Sequence, residues 1–325
     1  MSAPATAVPA PNFDRLAAFP EVRGVCDAAK TGDWHGVEAG FRELTDPVLH
    51  QIAIGLAGRL LDRAVAEEAA AADPTSALAG TLWAWRLVED GWEIRTGAWG
   101  NEVSAEQWKG FRAHLRRAEQ ILIQVTARHP DYTSAWTERL HTARGLGLGQ
   151  AEARRRYEKA MRAVPHFFPA QQVMIQQLCP KWGGSYDAMH SFADECAEAS
   201  PPGSVNGAVV ALAHIEHLLL VIRDESAGAG VAYLKRVNVQ EDLRWAAEHS
   251  VLNPAFQPAP GWVAAHSAFA MAFSMGDNQP AAAKHYEALL AGGNLADETP
   301  WKYFDDQVAE FVSLRDHAFK KGARP

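Results

Sequence analysis

Residues 142–165 read TARGLGLGQAEARRRYEKAMRAVP, and residues 269–293 read FAMAFSMGDNQPAAAKHYEALLAGG. Both stretches have the spacing of one helical hairpin: after a turn with glycine, a small residue, an aromatic residue and a further apolar residue recur at intervals of four and three. These positions are Ala153, Tyr157 and Ala160 in the first stretch and Ala282, Tyr286 and Leu289 in the second. Small residues let two helices approach closely, while the aromatic ring fills the gap toward the next hairpin. The two stretches therefore predict a stacked helical repeat.

The hairpins at 135–165 and 264–292 resemble tetratricopeptide repeats (TPR). The middle of the chain, over about residues 80–222, is also similar to a bacterial family of TPR-like proteins known only as a domain of unknown function. The segments that carry this second resemblance are GWEIRTGAWGNEVS (91–104), AVPHFFPA (163–170), PKWGGSYDAMHSFADECA (180–197) and ALAHIEH (211–217). The resemblance implies an all-α superhelical fold and no particular activity.

Helical periodicity runs through most of the chain. It includes a long helix from about Val48 to Ala72 and another over 105–128, which Ser104 and Gln107 begin as a capping box. No segment has the strict alternation typical of a half-buried strand. We therefore predict an all-α fold, an irregular TPR-like right-handed superhelix (an α-solenoid) of about fourteen helices.

One continuous unit is predicted over residues 13–320, between disordered tails at 1–12 and 321–325. The proline-rich segment NPAFQPAPG, residues 253–261, is a weak internal boundary within it. The most apolar run, residues 209–222, contains histidine and glutamate and is too short to span a bilayer, so it predicts a buried helix.

Composition excludes several classes of function. The 325 residues carry a formal net charge of −8, which argues against nucleic-acid binding because that needs a basic face. The basic run Arg154–Arg156 is interpreted as a solvated helix face, since Glu152 and Glu158 flank it. The three cysteines form no CxxC pair, and the N-terminus lacks the pattern of a signal peptide. A cytoplasmic protein without membrane contact is expected.

The loop PKWGGS, residues 180–185, is the most distinctive local motif. Lys181 and Trp182 are candidates to line a pocket, because the two glycines permit a close backbone approach and a Gly-Gly-Ser before a helix presents N–H groups to an anion. The structural alternative is a tight turn in which Ser185 caps the next helix and Trp182 packs in the core. The glycine-rich run GLGLG at 145–149 precedes a helix without a strand before it, and is interpreted as a hairpin turn.

Histidines supply the best ligand-like group. His214 and His217 are three positions apart and share one side of a helix, where they can hold a metal or relay a proton, and Glu216 points elsewhere. His190 is a further candidate if the fold brings it close. Buried histidines that bond to backbone carbonyls are the alternative. No spacing matches a metalloprotease or di-iron motif, and we predict no metal and no cofactor.

The chain has an unusually large number of tryptophans, eleven, and five of them lie between positions 83 and 108. Trp83 and Trp85 are two apart on a helix and must point in different directions. One of them is therefore a candidate for a concave binding face, where aromatic rings and arginines form strong contacts, while inter-helix packing is the alternative. The predicted ligand-binding residues are Trp85, Arg86, Trp92, Arg95, Trp99, Lys181 and Trp182.

The sequence favours a non-catalytic binding or scaffold protein that holds a protein, a peptide or a small ligand in a concave face. An enzyme with a central site built from His190, His214, Glu216 and His217, with or without a metal, is the first alternative. A dimeric regulatory protein is the second, so both a monomer and a homodimer stay open.

Overall fold

A computed structural model describes residues 8–97, 100 and 102–322. Within these ranges the chain forms eighteen α-helices, and no strand. The first ten are α1 (Arg15–Ala18), α2 (Arg23–Thr31), α3 (Trp34–Glu43), α4 (Pro47–Leu60), α5 (Arg63–Ala72), α6 (Ala77–Arg95), α7 (Ala105–Arg128), α8 (Thr133–Leu146), α9 (Gln150–Ala163) and α10 (Phe168–Leu178). The remaining eight are α11 (Tyr186–Ala199), α12 (Ala208–Asp224), α13 (Ala227–Leu234), α14 (Val237–His249), α15 (Trp262–Met275), α16 (Gln279–Ala291), α17 (Glu298–Trp301) and α18 (Gln307–Gly322).

The all-helical class is confirmed, while the predicted number of about fourteen helices is wrong. Part of the difference comes from the helix expected over 48–72, which is two helices, α4 and α5. Leu61 leaves the helical conformation, and the Asp62 carboxylate accepts a hydrogen bond from the backbone N–H of Ala64 at 2.8 Å, which begins a new helix. The capping box at Ser104 and Gln107 is present at the start of α7.

The chain divides into two compact units. The first unit is Phe19–Ala188, and the second unit joins the residues up to Ala18 with those from Met189 onward. The proline-rich segment 253–261 lies inside the second unit. The single solenoid stays a prediction, and each unit is described by itself.

The predicted hairpins are present, one in each unit. Helices α8 and α9 pack together in the first unit, and α15 and α16 in the second. The small residues Ala153, Ala160 and Ala282 have no exposed surface, and the rings of Tyr157 and Tyr286 are buried. These residues therefore allow the close helix contact that their spacing predicted.

A buried ion network joins α7, α8 and α9 in the first unit. Glu119 Oε1 accepts hydrogen bonds from Arg139 Nη2 and from Arg156 Nη2, both at 2.8 Å. Thr142 donates its hydroxyl to the other oxygen of the same carboxylate. Arg156 is 2% exposed. The interpretation of Arg154–Arg156 as a solvated face is therefore wrong for its last member.

The N-terminal segment of the second unit is held in place from residue 8 onward. Asn12 forms a parallel bridge with Leu295, with its backbone N–H donating to Asn294 O at 2.7 Å. The buried guanidinium of Arg315 on α18 donates to Pro9 O at 2.7 Å. The tail predicted at 1–12 is thus ordered over residues 8–12, and residues 321–322 of the other predicted tail are helical. Residues 1–7 and 323–325 lie outside the described ranges.

Helix α12 contains the most apolar run. The segment Val205–Asp224 is the one segment of the described residues that is long and apolar enough to cross a membrane by length and composition. It is longer than the run of 209–222, and 72% of its most apolar window is buried inside the protein, as in a core helix.

Candidate functional site

The PKWGGS loop is a short 3-10 helix, Pro180–Trp182, followed by a tight turn. Gly183 has a φ of +81°, and a side chain on Gly184 would collide with the backbone carbonyl of Leu178. The Ser185 hydroxyl accepts a hydrogen bond in the first turn of α11 at 3.1 Å. The glycines and the serine therefore have the structural roles of the alternative interpretation, and they fix the position of the 3-10 helix.

A cation–indole cluster lies at this loop. The cluster consists of Trp92, Arg95, Trp108, Arg144 and Trp182. The Arg95 guanidinium carbon lies 5.5, 5.2 and 5.9 Å from the ring centroids of Trp92, Trp108 and Trp182. Arg144 lies 5.5 Å from the Trp92 ring and 5.7 Å from the Trp182 ring. The indole faces hold both guanidinium groups, because a cation is attracted to the negative face of the ring.

Helix ends supply the members of this cluster. Trp92 and Arg95 are three positions apart in the last turn of α6, so they share a face. Trp108 is in the first turn of α7, and Arg144 is in the last turn of α8. Burial lowers the pKa of the Arg95 guanidinium.

A pocket of about 440 Å³ lies beside the cation–indole cluster. Three of the described residues that line it are basic, and none is acidic. Arg112 is exposed and stacks 5.2 Å from the Trp108 ring centroid, and Lys181 is half-buried. The side chains that give the pocket its chemistry are Trp108, Arg112, Arg144, Gln177, Lys181 and Trp182.

The glycine turn before α9 forms part of the pocket wall. Gly147 and Gly149 have φ values of +66° and +86°, and an added side chain at either would meet no atom within 4 Å. Gly149 precedes α9, and the helix has no side-chain cap at its amino end. The run GLGLG is thus the hairpin turn that the sequence predicted, and it also opens the amino end of α9 to the pocket.

A second pocket of about 490 Å³ also belongs to the first unit. Trp83 lines it together with acidic and basic residues, among them Glu67 and Arg117, which form an ion pair. Since those charges offset each other, this pocket has no clear preference for the charge of a ligand.

Several predicted ligand-binding residues lie elsewhere. The Trp85 ring is buried against Gly58 of α4, and the Arg86 Nε donates to Asp90 at 2.8 Å. Neither Trp85 nor Arg86 lines the pocket. Trp99 lies outside the described residues. Trp92, Arg95, Lys181 and Trp182 are the predicted residues that the fold brings together.

The second unit contains a histidine–tyrosine cluster, which consists of His190, His214, His217 and Tyr233. His190 Nε2 lies 2.9 Å from His217 Nδ1. The Tyr233 hydroxyl lies 2.6 Å from His214 Nδ1 and 3.3 Å from His190 Nε2. Four groups able to exchange protons thus form a continuous chain.

Burial dominates the electrostatics of this cluster. It lowers the pKa of His214 well below its usual value, and the nearby His190 and His217 lower it further. Burial, His190 and Arg236 lower the pKa of His217 to about 4. Both imidazoles are therefore neutral at pH 7.

Glu216 does not join the histidines. It is buried on its own side of α12, where it accepts a hydrogen bond from the Tyr303 hydroxyl at 3.1 Å. The carboxylate nearest to His214 is that of Asp242, with an N–O distance of 3.9 Å. In the described part of the chain, no three or more His, Cys, Asp or Glu side chains are arranged to hold a metal ion.

Sequence reasoning missed Trp108, Arg112, Arg144, Gln177 and Tyr233 as site residues. Arg144 and Arg112 carried no local signal, because nothing in a helical repeat distinguishes a pocket arginine from a surface arginine. Tyr233 is 19 positions from His214, on the next helix, so spacing within one helix could not place it beside the histidines.

No protein-family model matches this chain, and no curated protein shows significant similarity to it.

Proposed function

We propose that this is a non-catalytic binding protein whose first unit holds a small anionic ligand in the pocket beside the cation–indole cluster. The observation that carries the proposal is the composition of the pocket wall: Arg112, Arg144 and Lys181 line it, with no acidic residue among the described lining. Such a surplus of positive charge is notable in a chain with a net charge of −8.

Preorganisation supports the same function. Arg144 rests on Trp92 and Trp182, and Arg112 rests on Trp108, so these cations lose little side-chain freedom when a ligand binds. A volume of about 440 Å³ is within the usual range for small-molecule sites, about 300–1,000 Å³. The proposal also includes a TPR-like superhelical fold, further protein or peptide partners and a cytoplasmic location.

Isothermal titration calorimetry with citrate, sulfate and inorganic phosphate tests the function. We expect at least one of these anions to bind, with an affinity that falls about threefold to tenfold in Arg112→Gln because one charged contact is lost. Arg162→Gln is the matched control, since Arg162 is an exposed arginine at the other end of α9. Equal affinities in the two variants, or no binding by the wild type, would refute the proposal.

A second candidate function is acid–base catalysis at the histidine–tyrosine cluster. The observation that favours it is the Tyr233 hydroxyl between two imidazole nitrogens, at 2.6 and 3.3 Å. Neutral imidazoles at pH 7 have a lone pair that can accept a proton from a substrate, while their lowered pKa makes them weak bases.

Hydrolysis of an activated aryl ester tests this candidate. If the cluster is catalytic, His217→Gln lowers the rate, because His217 is the half-buried end of the chain of proton-exchanging groups. Unchanged hydrolysis in the variant argues against catalysis at this cluster. Metal analysis of the same preparation tests the metal-assisted form, which requires a stoichiometric transition metal.

A further inference from the structure

We propose that the pocket beside the cation–indole cluster takes a phosphate monoester of a hydroxylated small molecule, with the phosphate at the amino end of α9 and a ligand hydroxyl on Gln177. This inference rests on the proposed binding function and specifies its ligand class. Two independent features carry it, the positive charge of the pocket wall and an unsatisfied acceptor on one of its lining residues.

The amino end of α9 supplies the anion site. Backbone N–H groups in the first turn of a helix have no partner within the helix, and the helix dipole adds partial positive charge there. Gly149 brings no capping side chain, and no Cβ obstructs an approaching oxyanion. Glu152 in the same turn is engaged by Arg155 and Arg156, which offset its charge.

The number of cations favours a phosphate over a single carboxylate. Arg112, Arg144 and Lys181 line the pocket together with the turn that precedes α9. A phosphate monoester carries a charge of about −1.5 to −2 at pH 7 and presents three acceptor oxygens, so it can bond to several of these donors at once.

Gln177 supplies the second feature. It is 3% exposed and lines the pocket, and its Oε1 is buried without a hydrogen bond from any residue that the structure describes. A buried carbonyl oxygen that is left unsatisfied is destabilising, so such a group in a pocket wall indicates a donor on the ligand.

Gln150 repeats this arrangement at the first position of α9. Its Nε2 donates to Gln177 O at 2.9 Å and to Trp182 O at 3.2 Å, which fixes the orientation of the amide. Its Oε1 is then the unpaired atom, and Gln150 too is a lining residue of the pocket. Two acceptors close to an anion site match a ligand that carries hydroxyl groups next to its phosphate.

Calorimetric titration with ribose 5-phosphate and with sulfate tests the inference, because sulfate is an anion without a proton to donate at neutral pH. We expect ribose 5-phosphate to bind at least about tenfold more tightly than sulfate to the wild type. Gln177→Leu should remove this difference by weakening the ester about tenfold while sulfate affinity is unchanged. Gln176→Leu, a half-buried neighbour outside the pocket wall, is the control and should keep the difference.

Thermal unfolding of Gln177→Leu establishes whether the variant is folded. We expect its Tm to equal or exceed that of the wild type, since the substitution removes an unsatisfied buried group. If it unfolds instead, Gln150→Leu is the second variant, with the same expected loss of preference for the ester.

Each alternative outcome has a distinct meaning. If ribose 5-phosphate and sulfate bind equally to the wild type, or if both glutamine variants retain the preference, the inference is overturned. If citrate binds in an Arg112-dependent manner while the ester does not, the inference fails and the proposed binding function stands. If no anion binds, both fail.

Discussion

The Arg144 guanidinium lies over the indole ring of Trp182, with its carbon 5.7 Å from the ring centroid. Helix α8 carries the arginine, and the PKWGGS loop carries the tryptophan. The same arginine lies over Trp92, so one cation fixes the loop to both α6 and α8. Loss of either ring should therefore loosen the pocket wall.

Replacing Trp182 by alanine should lower the free energy of unfolding by about 1–3 kcal/mol, because the half-buried ring packs against Trp92 and both arginines. Trp182→Phe keeps an aromatic face and should cost about 1 kcal/mol or less. Urea denaturation of the two variants measures the difference. Equal losses would show that the cation contacts of the ring have no effect on stability.

Glu119 should be among the most sensitive positions for stability. In Glu119→Gln, the buried guanidinium of Arg139 loses its counter-ion and that of Arg156 keeps only Glu152, so we expect a loss of about 3–5 kcal/mol in the free energy of unfolding. Glu158→Gln removes an exposed ion pair with Arg154 and should change stability by about 0.5 kcal/mol or less. A small effect at Glu119 would contradict the role of the network in joining α7, α8 and α9.

The small residue Ala160 should tolerate no enlargement. Ala160→Leu inserts three carbons where the side chain has no exposed surface, so the α8–α9 hairpin should be destabilised by about 1–3 kcal/mol. Ala151→Leu on the exposed side of the same helix should stay within about 0.5 kcal/mol of the wild type. Thermal unfolding of both variants measures the contrast.

His266 and His285 should make the second unit sensitive to acid. Their Nδ1 atoms lie 3.0 Å apart in the core. Burial lowers the pKa of His266 to about 4 from 6.5, and burial and the neighbouring His266 lower that of His285 well below 6.5. Because the unfolded chain binds these protons more readily, stability should be full above pH 6.5 and should fall as the pH drops toward about 4.

His285→Phe tests this dependence. The ring of His285 stacks on the rings of both Phe269 and Phe273, so phenylalanine should fit the site without a protonatable group. We expect a smaller loss of Tm between pH 6.5 and pH 4 than in the wild type. His35→Gln, at an exposed position, should leave the profile unchanged. A variant that keeps the full acid sensitivity would show that other groups cause it.

Residue spacing along the sequence was enough to predict the helices of this fold. The site could be predicted only in part, because it depends on contacts between residues that are far apart in the sequence. The spacing of Ala153, Tyr157 and Ala160 identified buried positions because helix periodicity alone places them on one face. Arg156 was placed on the surface because its partner Glu119 is 37 positions away, on another helix.

The two candidate sites differ in the same way, because one depends partly on local helix spacing and the other on long-range contacts. His214 and His217 share a helix face by spacing alone, and the fold brings His190 to 2.9 Å from His217. The pocket in the first unit depends on Trp92, Trp108, Arg144 and Trp182, which come from four segments. Trp92 and Trp182 were identified by residue type, whereas Trp108 and Arg144 were not.

The bridge between Asn12 and Leu295 delays the folding of the second unit during protein synthesis. Its N-terminal residues leave the ribosome before the whole first unit, yet their partners appear only after it, since Pro9 and Asn294 are 285 positions apart. At about 5–20 residues per second, this separation corresponds to a delay on the order of tens of seconds. The first unit therefore has time to fold on the ribosome, whereas the second unit completes its packing only after the region around Leu295 has emerged.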